Sequence, residues 1–97
     1  MTTVICEEYG ATSMLLHRLA HVVLTDERLA LSTWFWNLRD VPVAAIQAVH
    51  FYQDWLGNEV TVEYLGDDGL SHAVRWTTRH DGAWKRAFAL VGVKQSI

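Results

Sequence analysis

The strongest constraint on the fold is a run of alternating apolar and polar residues on both sides of a glycine-rich turn, over residues 59–78. Alternation with a period of two is typical of a half-buried strand. The intervening turn is Gly66-Asp67-Asp68-Gly69, and glycine and aspartate tolerate the positive φ angles that tight reversals require. The apolar positions that share a face are Val60, Val62 and Tyr64 before the turn and Leu70, Val74 and Trp76 after it. The segment therefore predicts a β-hairpin.

A single amphipathic helix is predicted over residues 81–92. Apolar residues recur there at i, i+3, i+4 and i+7, which places them on one helix face. These residues are Trp84, Ala87, Phe88 and Val91. Asp81 is the expected N-cap, since its carboxylate can accept a hydrogen bond from a first-turn backbone N–H. Gly92 is the expected stop. We therefore expect the helix to dock through Trp84.

Two further strands are predicted upstream of the hairpin. Residues 29–36 alternate, with Leu29, Leu31 and Phe35 on one face and Trp34 and Trp36 on the other. The charged residues 26–28 predict the turn before this strand. Residues 3–8 fit a short edge strand.

Two segments, 14–24 and 43–56, fit both a strand and a helix by local pattern. In 14–24 most apolar residues share a strand face, yet a helix would gather the polar residues into one arc. A helix over 43–56 would begin near Pro42 and end at Gly57. Its apolar stripe would consist of Ala45, Val49, Tyr52 and Leu56. The residues alone leave both alternatives open.

Size, charge and cysteine content limit the function classes. Ninety-seven residues suit one domain, assigned to residues 1–97. Eight basic residues against eleven acidic ones give a net charge of −3, which disfavours nucleic acid and anionic membranes as partners. Cys6 is the only cysteine, so an intramolecular disulfide and a thiolate metal cluster are excluded. With an acidic N-terminal segment and no apolar run of about 18 residues, we expect a soluble, cytoplasmic protein.

The stretch from Val22 to Val49 resembles the pleckstrin-homology-like (PH-like) superfamily, in particular its small bacterial members. Leu24-Thr25-Asp26-Glu27-Arg28-Leu29 resembles the turn between two meander strands of that family. Val41-Pro42-Val43-Ala44-Ala45-Ile46-Gln47-Ala48-Val49 is similar to the pattern that opens its next strand. A hairpin and a terminal helix carrying Trp84 then follow in the family's order.

The resemblance implies an α+β fold in which a bent antiparallel sheet, or partly open barrel, is closed by a C-terminal helix. It predicts that both ambiguous segments, 14–24 and 43–56, are strands. About six strands can be counted in the sequence, whereas the family has seven. If 14–24 and 43–56 were helices instead, the chain would form a ferredoxin-like α+β sandwich.

The PH-like superfamily is mostly non-enzymatic, and its members bind lipid headgroups, peptides or other proteins, while some bacterial members assemble into rings. Its phosphoinositide-binding members rely on cations around the first loop. The matching stretch here, residues 7–13, carries two acids and no cation. We therefore expect a non-catalytic binding module that acts through protein contacts or homo-oligomerisation. The alternatives are a small enzyme or metal-dependent protein on the sandwich fold, and a membrane-surface adaptor.

No residue pattern predicts catalysis, a cofactor or a metal site. Cys6 has no neighbouring base that would lower its pKa. Asp67 and Asp68 lie between two glycines, where turn formation is a simpler interpretation than an acid pair. His17 and His21 could share a zinc ion on a helix, but in a strand they would lie about 13 Å apart.

Five tryptophans are the unusual feature of the composition. Trp34 and Trp36 alternate out of phase with the apolar face of their predicted strand, and Trp55 lies in or beside a predicted loop. Aromatic side chains are enriched where proteins bind one another. Trp34, Trp36 and Trp55 are therefore the predicted protein-binding residues; the alternative is that a loop or the terminal segment covers them.

Overall fold

The computed structural model describes residues 3–12, 19–32, 37–54 and 57–96. Within these ranges seven strands precede a single α-helix and a short final strand. The elements are Val4–Thr12 (β1), Leu19–Thr25 (β2), Arg28–Ser32 (β3), Asn37–Pro42 (β4), Ile46–Asp54 (β5), Gly57–Leu65 (β6), Ser71–Thr78 (β7), Asp81–Leu90 (α1) and Gln95–Ser96 (β8). A single 3-10 turn, Val43–Ala45, connects β4 to β5.

The strands form two antiparallel meanders, β1 to β4 and β5 to β7. A short pairing of Ala11 with Thr77 and Thr12 with Trp76 joins them through β1 and β7. The strand order is β4-β3-β2-β1-β7-β6-β5-β8, with β8 parallel to β5. Strands β4 and β5 are not paired with each other within the described residues, so the sheet is not closed. The expected α+β class, with antiparallel strands and a C-terminal helix, is confirmed.

The inner faces of both meanders line one core. Alternation in β6 and β7 places Val60, Val62, Val74 and Trp76 on the same side of the hairpin, and all four are buried. The other meander contributes five buried aliphatic residues: Val22, Leu24, Leu29, Leu31 and Val41. Because side chains of a strand alternate between its two faces, every second residue of these strands points into the core. The hairpin predicted over 59–78 is confirmed, except that Leu70 precedes β7 and is exposed rather than on the buried face.

Helix α1 docks on the core through the predicted stripe. Trp84, Ala87 and Phe88 are buried, and the Trp84 ring lies edge-to-face on Trp76 with centroids 5.2 Å apart. Such an aromatic pair adds about 0.5–1.5 kcal/mol to the area buried. Gly92 follows the helix with a φ of 77°, as expected for a helix stop. The N-cap prediction is wrong: Asp81 is the first helical residue, and His80 occupies the cap without a side-chain hydrogen bond.

Where they are described, both ambiguous segments are strands, except for the single 3-10 turn Val43–Ala45 at the start of the second segment. Residues 19–25 form β2 and 46–54 form β5. In β5, Val49 is buried while Tyr52, which a helix would have placed on the same stripe, is exposed. This segment forms a strand because it pairs with β6, and its β-branched and aromatic residues suit the pleated surface of a sheet. The helices that the ferredoxin-like sandwich requires over these segments are therefore contradicted. The described residues hold eight strands, two more than the expected six.

The N-terminal prediction was wrong in its extent and position. The expected short edge strand over 3–8 is the nine-residue β1, and it lies in the interior of the sheet between β2 and β7. Residues 7–12 are therefore strand rather than the loop expected from the resemblance. The absence of cations from residues 7–13 therefore does not argue against headgroup binding by a loop.

Candidate interaction surface

The three predicted protein-binding residues, Trp34, Trp36 and Trp55, lie outside the described residues. Strand alternation is established as far as Ser32, where β3 ends. Ser32 pairs with Asn37 in antiparallel β4, so the phase of β3 cannot be carried directly to residues 34 and 36. The assignment of these tryptophans to a binding surface stays a prediction.

An exposed aromatic cluster on the outer face of β1 and β2 was missed by sequence reasoning. Tyr9 is 71% exposed, and its ring stacks on His21 with centroids 4.6 Å apart. The carboxylate of Glu7 approaches the same imidazole, with Oε2 3.1 Å from Nε2, although the pair lacks hydrogen-bond alignment. Glu7, Tyr9 and His21 are called the Tyr9 patch. Its tyrosine is held in place without being buried.

The register places the Tyr9 patch beside the junction of β3 and β4. Tyr9 pairs with His21, His21 pairs with Ser32, and Ser32 pairs with Asn37. These four residues form one cross-strand row at the end of the meander. The tyrosine therefore shares a row with the two residues that flank the segment 33–36. In the sequence, the spacing of two between Glu7 and Tyr9 would place both side chains on one strand face. This inference requires knowing that β1 extends past residue 8.

The opposite face of β1 holds a buried carboxylate. The side chain of Glu8 is only 8% exposed and accepts hydrogen bonds from the Thr78 hydroxyl, the Arg79 backbone N–H (3.2 Å) and the Trp84 indole N–H (2.6 Å). All three donors belong to the junction between β7 and α1. A buried charge is tolerated when its acceptor sites are filled in this way. Glu8 therefore ties the helix to β1, and its arrangement is that of a structural anchor.

Each of the described histidines lies near a carboxylate. The pairs are His21 with Glu7, His50 with Glu63, His72 with Asp68, and His80 with Glu8. Across the described ranges no group of three histidine, cysteine, aspartate or glutamate residues is placed to share a metal ion. His17 lies outside these ranges, while His21 is in strand β2, so the helical arrangement that would have let the two share zinc does not apply.

Cys6 is poorly suited to nucleophilic chemistry. Burial raises the pKa of the Cys6 thiol above its ordinary value, and the nearby Glu8 carboxylate acts in the same direction. A raised pKa lowers the thiolate fraction at neutral pH, and the thiolate is the nucleophile.

The basic residues 75–86 lie on β7, on α1 and in the junction between them. Lys85 lies 3.7 Å from Asp81 and stands over the Phe51 ring, 5.5 Å from its centroid. Arg75 is exposed on the outer face of β7, where it pairs with Thr61. Arg79 and Arg86 are exposed at the junction before α1 and on α1 itself.

No known protein-family model matches the chain, and a comparison with curated proteins finds no significantly similar sequence. Among the described residues no helix has the length and apolar character required to cross a bilayer.

Proposed function

We propose that this domain is a non-catalytic binding module that acts through protein–protein contacts. The Tyr9 patch is the observation that carries the proposal. An exposed tyrosine stacked on a neighbouring ring is already ordered, so a partner would not have to restrict its rotamers on binding. Tyrosine is also among the residues most enriched at interface hot spots.

The composition of the patch fits a protein partner. Its aromatic ring supplies contact area, while Glu7 and His21 supply charge and hydrogen-bonding groups at the rim. Interfaces commonly combine an aromatic anchor with a polar rim. We further propose that Trp34 and Trp36 extend this surface, since Ser32 and Asn37 on either side of their segment share a row with Tyr9. Trp55 stays a separate predicted contact.

A PH-like fold is part of the same proposal. Seven antiparallel strands followed by a C-terminal helix match the strand number and the element order that the resemblance implies. Most members of that superfamily bind other molecules without catalysis. The raised pKa of the Cys6 thiol disfavours the thiolate that a cysteine nucleophile needs.

Substitution of Tyr9 tests the proposal. Immobilised wild-type protein and Tyr9→Ser should be compared for capture of partners from an extract of the source organism, quantified by mass spectrometry. Loss of a hot-spot aromatic commonly costs 2 kcal/mol or more, so we expect affinity to fall by about thirtyfold or more. Trp34→Ser combined with Trp36→Ser should weaken the same capture while leaving a cooperative melt.

Tyr52→Ser is the matched control, because Tyr52 is 61% exposed on the other meander. Capture that depends on Tyr52 but not on Tyr9 would contradict the proposal and would show that the interface lies on β5. If the tryptophan double variant unfolds, or both rings are shielded from acrylamide in a monomeric wild type, these tryptophans belong to the core.

A further inference from the structure

One face of the Tyr9 ring is open to a ligand. The other face stacks on His21, with 4.6 Å between the ring centroids and 18° between the ring planes. Because such a stack covers only one side of the ring and Tyr9 is 71% exposed, the side away from His21 faces solvent. The face of an aromatic ring carries partial negative charge. It therefore offers a surface that attracts a cation.

Glu7 places an unfilled carboxylate beside that ring. The spacing of two puts Glu7 and Tyr9 on the same face of β1, with Cα atoms about 7 Å apart. The Glu7 side chain is half exposed, and its contact with His21 lacks hydrogen-bond alignment. Within the described residues the carboxylate of Glu7 accepts no hydrogen bond. Its acceptor sites are therefore available to a donor from another molecule.

The described residues of β1 to β4 supply no competing lysine or arginine on this face. Arg28 donates to Asp40 at 2.6 Å, so its charge is already paired. Arg39 pairs in register with Leu31, which is buried on the inner face, and therefore belongs to the opposite face. Strand pairing also puts Asp40 in the same cross-strand row as Glu7. The net charge of −3 adds a long-range attraction for a positively charged partner.

Arginine is the side chain that uses the ring and the carboxylate at once. Its guanidinium is planar, so it can lie over the open face of Tyr9 while an N–H at its edge donates to Glu7. Its methylene stem can cover the rest of the ring. A lysine ammonium supplies a point charge without a planar surface to stack, and an anionic side chain would be repelled by Glu7. The combination of groups therefore favours arginine.

We infer that the Tyr9 patch recognises an arginine side chain of the partner protein, which stacks on Tyr9 and donates to Glu7. This inference rests on the proposed function and names the group that the partner presents. Because both contacted side chains are exposed, the contact is weak by itself and its ionic part is screened by salt. Such a contact contributes more to the specificity of the interface than to its affinity.

A short blocked peptide that alternates arginine with glycine tests the inference in an NMR titration of the isotope-labelled domain. The same peptide with citrulline in place of arginine is the matched probe, because citrulline keeps the shape and loses the charge. We expect millimolar binding of the arginine peptide, weakened by added salt, with shifts centred on the amides of Glu7, Tyr9 and His21. The citrulline peptide should bind about tenfold more weakly, and a lysine peptide should fall between the two.

Four variants separate the two contacts from general charge effects. Glu7→Gln and Tyr9→Leu should each weaken binding of the arginine peptide by about threefold, since each removes one of the two contacts. Tyr9→Phe keeps the ring and should bind like wild type. Asp67→Asn is the charge control and should also bind like wild type. Asp67 is exposed in the β6–β7 turn, and its substitution changes the net charge by the same amount as Glu7→Gln.

Absence of binding, equal binding of the arginine peptide and either other peptide, or shifts centred elsewhere on the domain would overturn the assignment of arginine. A Glu7→Gln variant that binds like wild type, or an equal loss in Asp67→Asn, would also overturn it. Partner capture that depends on Tyr9 would be unaffected by these outcomes. The inference and the proposed function therefore fail separately.

Discussion

Two adjacent glutamates in β1 have different roles because successive side chains of a strand point to opposite faces. Glu7 lies on the outer face, half exposed, beside the His21 imidazole. Glu8 lies on the inner face and accepts hydrogen bonds from the Trp84 indole and the Arg79 backbone. Chemically identical residues thus contribute to a surface patch in one case and to the docking of a helix in the other.

Removal of the Glu8 carboxylate should destabilise the fold much more than removal of its neighbour. Glu8→Ala leaves the indole and backbone donors at the β7–α1 junction without their acceptor, and each buried unsatisfied group costs about 1–3 kcal/mol. We expect a loss of about 2–5 kcal/mol in the free energy of unfolding. Urea denaturation followed by tryptophan fluorescence measures the change.

Glu7→Ala is the matched control for this experiment. It removes an exposed contact between a carboxylate and an imidazole, and a surface contact of this kind is worth about 0–1 kcal/mol. Equal destabilisation by the two substitutions would contradict the assignment of Glu8 as the anchor of α1.

At the scale of single elements, the β6–β7 hairpin is ordered by its own short-range contacts. Gly69 has a φ of 78°, a conformation that favours glycine, and closes the turn by donating to the Gly66 carbonyl at 3.0 Å. The Asp68 carboxylate accepts from the Leu70 N–H and contacts His72. The His72 ring stacks in turn on Tyr64 at 5.7 Å. These contacts lie within nine residues of sequence, which is why the hairpin could be predicted.

The hairpin should contribute stability that is lost in acid. The Leu70 backbone N–H, and then His72, lower the pKa of Asp68 below its ordinary value. A carboxylate whose pKa is lower in the folded state stabilises the fold above its unfolded pKa of about 3.9 and loses that contribution as the pH falls through the folded value. Asp68→Asn should therefore lower Tm at neutral pH, and the difference from wild type should shrink toward pH 3 or below.

Thermal melts across this pH range, with the Asp68 pKa followed by carboxyl-carbon NMR, check the expectation. Asp67→Asn is the control, because Asp67 lies in the same turn without a hydrogen-bond partner among the described residues. A Tm difference for Asp68→Asn that stays constant from neutral pH to pH 3 or below would contradict the assigned role.

For the molecule as a whole, charge argues against anionic surfaces. The net charge is −3, and several cations are already paired, as Arg28 is with Asp40 at 2.6 Å and Lys85 with Asp81. Each basic residue near an anionic bilayer contributes about 1 kcal/mol, so binding requires several unpaired cations on one face.

We therefore expect negligible co-sedimentation with phosphoinositide-containing vesicles at physiological salt. Neutral vesicles are the control for nonspecific pelleting. Micromolar binding to the anionic vesicles would contradict this expectation and would point to the exposed cations Arg75, Arg79 and Arg86 as the headgroup contacts.

Local signals in the sequence were sufficient to predict the hairpin over 59–78. They also predicted the helix, with Trp84, Ala87 and Phe88 in the core, and its end near Gly92. Each depends on residues close together in the chain, where a period of two or 3.6 and the chemistry of a turn act directly. For the same reason the sequence by itself pointed to an α+β class with antiparallel strands.

Only the tertiary structure decided the segments whose local pattern fits two conformations. Residues 46–54 become a strand because β6 offers them a full ladder of partners, and β1 extends to Thr12 because β2 and β7 flank it. Glu8 is buried because its donors come from residues 78–84, some seventy positions away, and no local period encodes that meeting. The Tyr9 patch likewise exists because strand pairing brings Tyr9 beside His21.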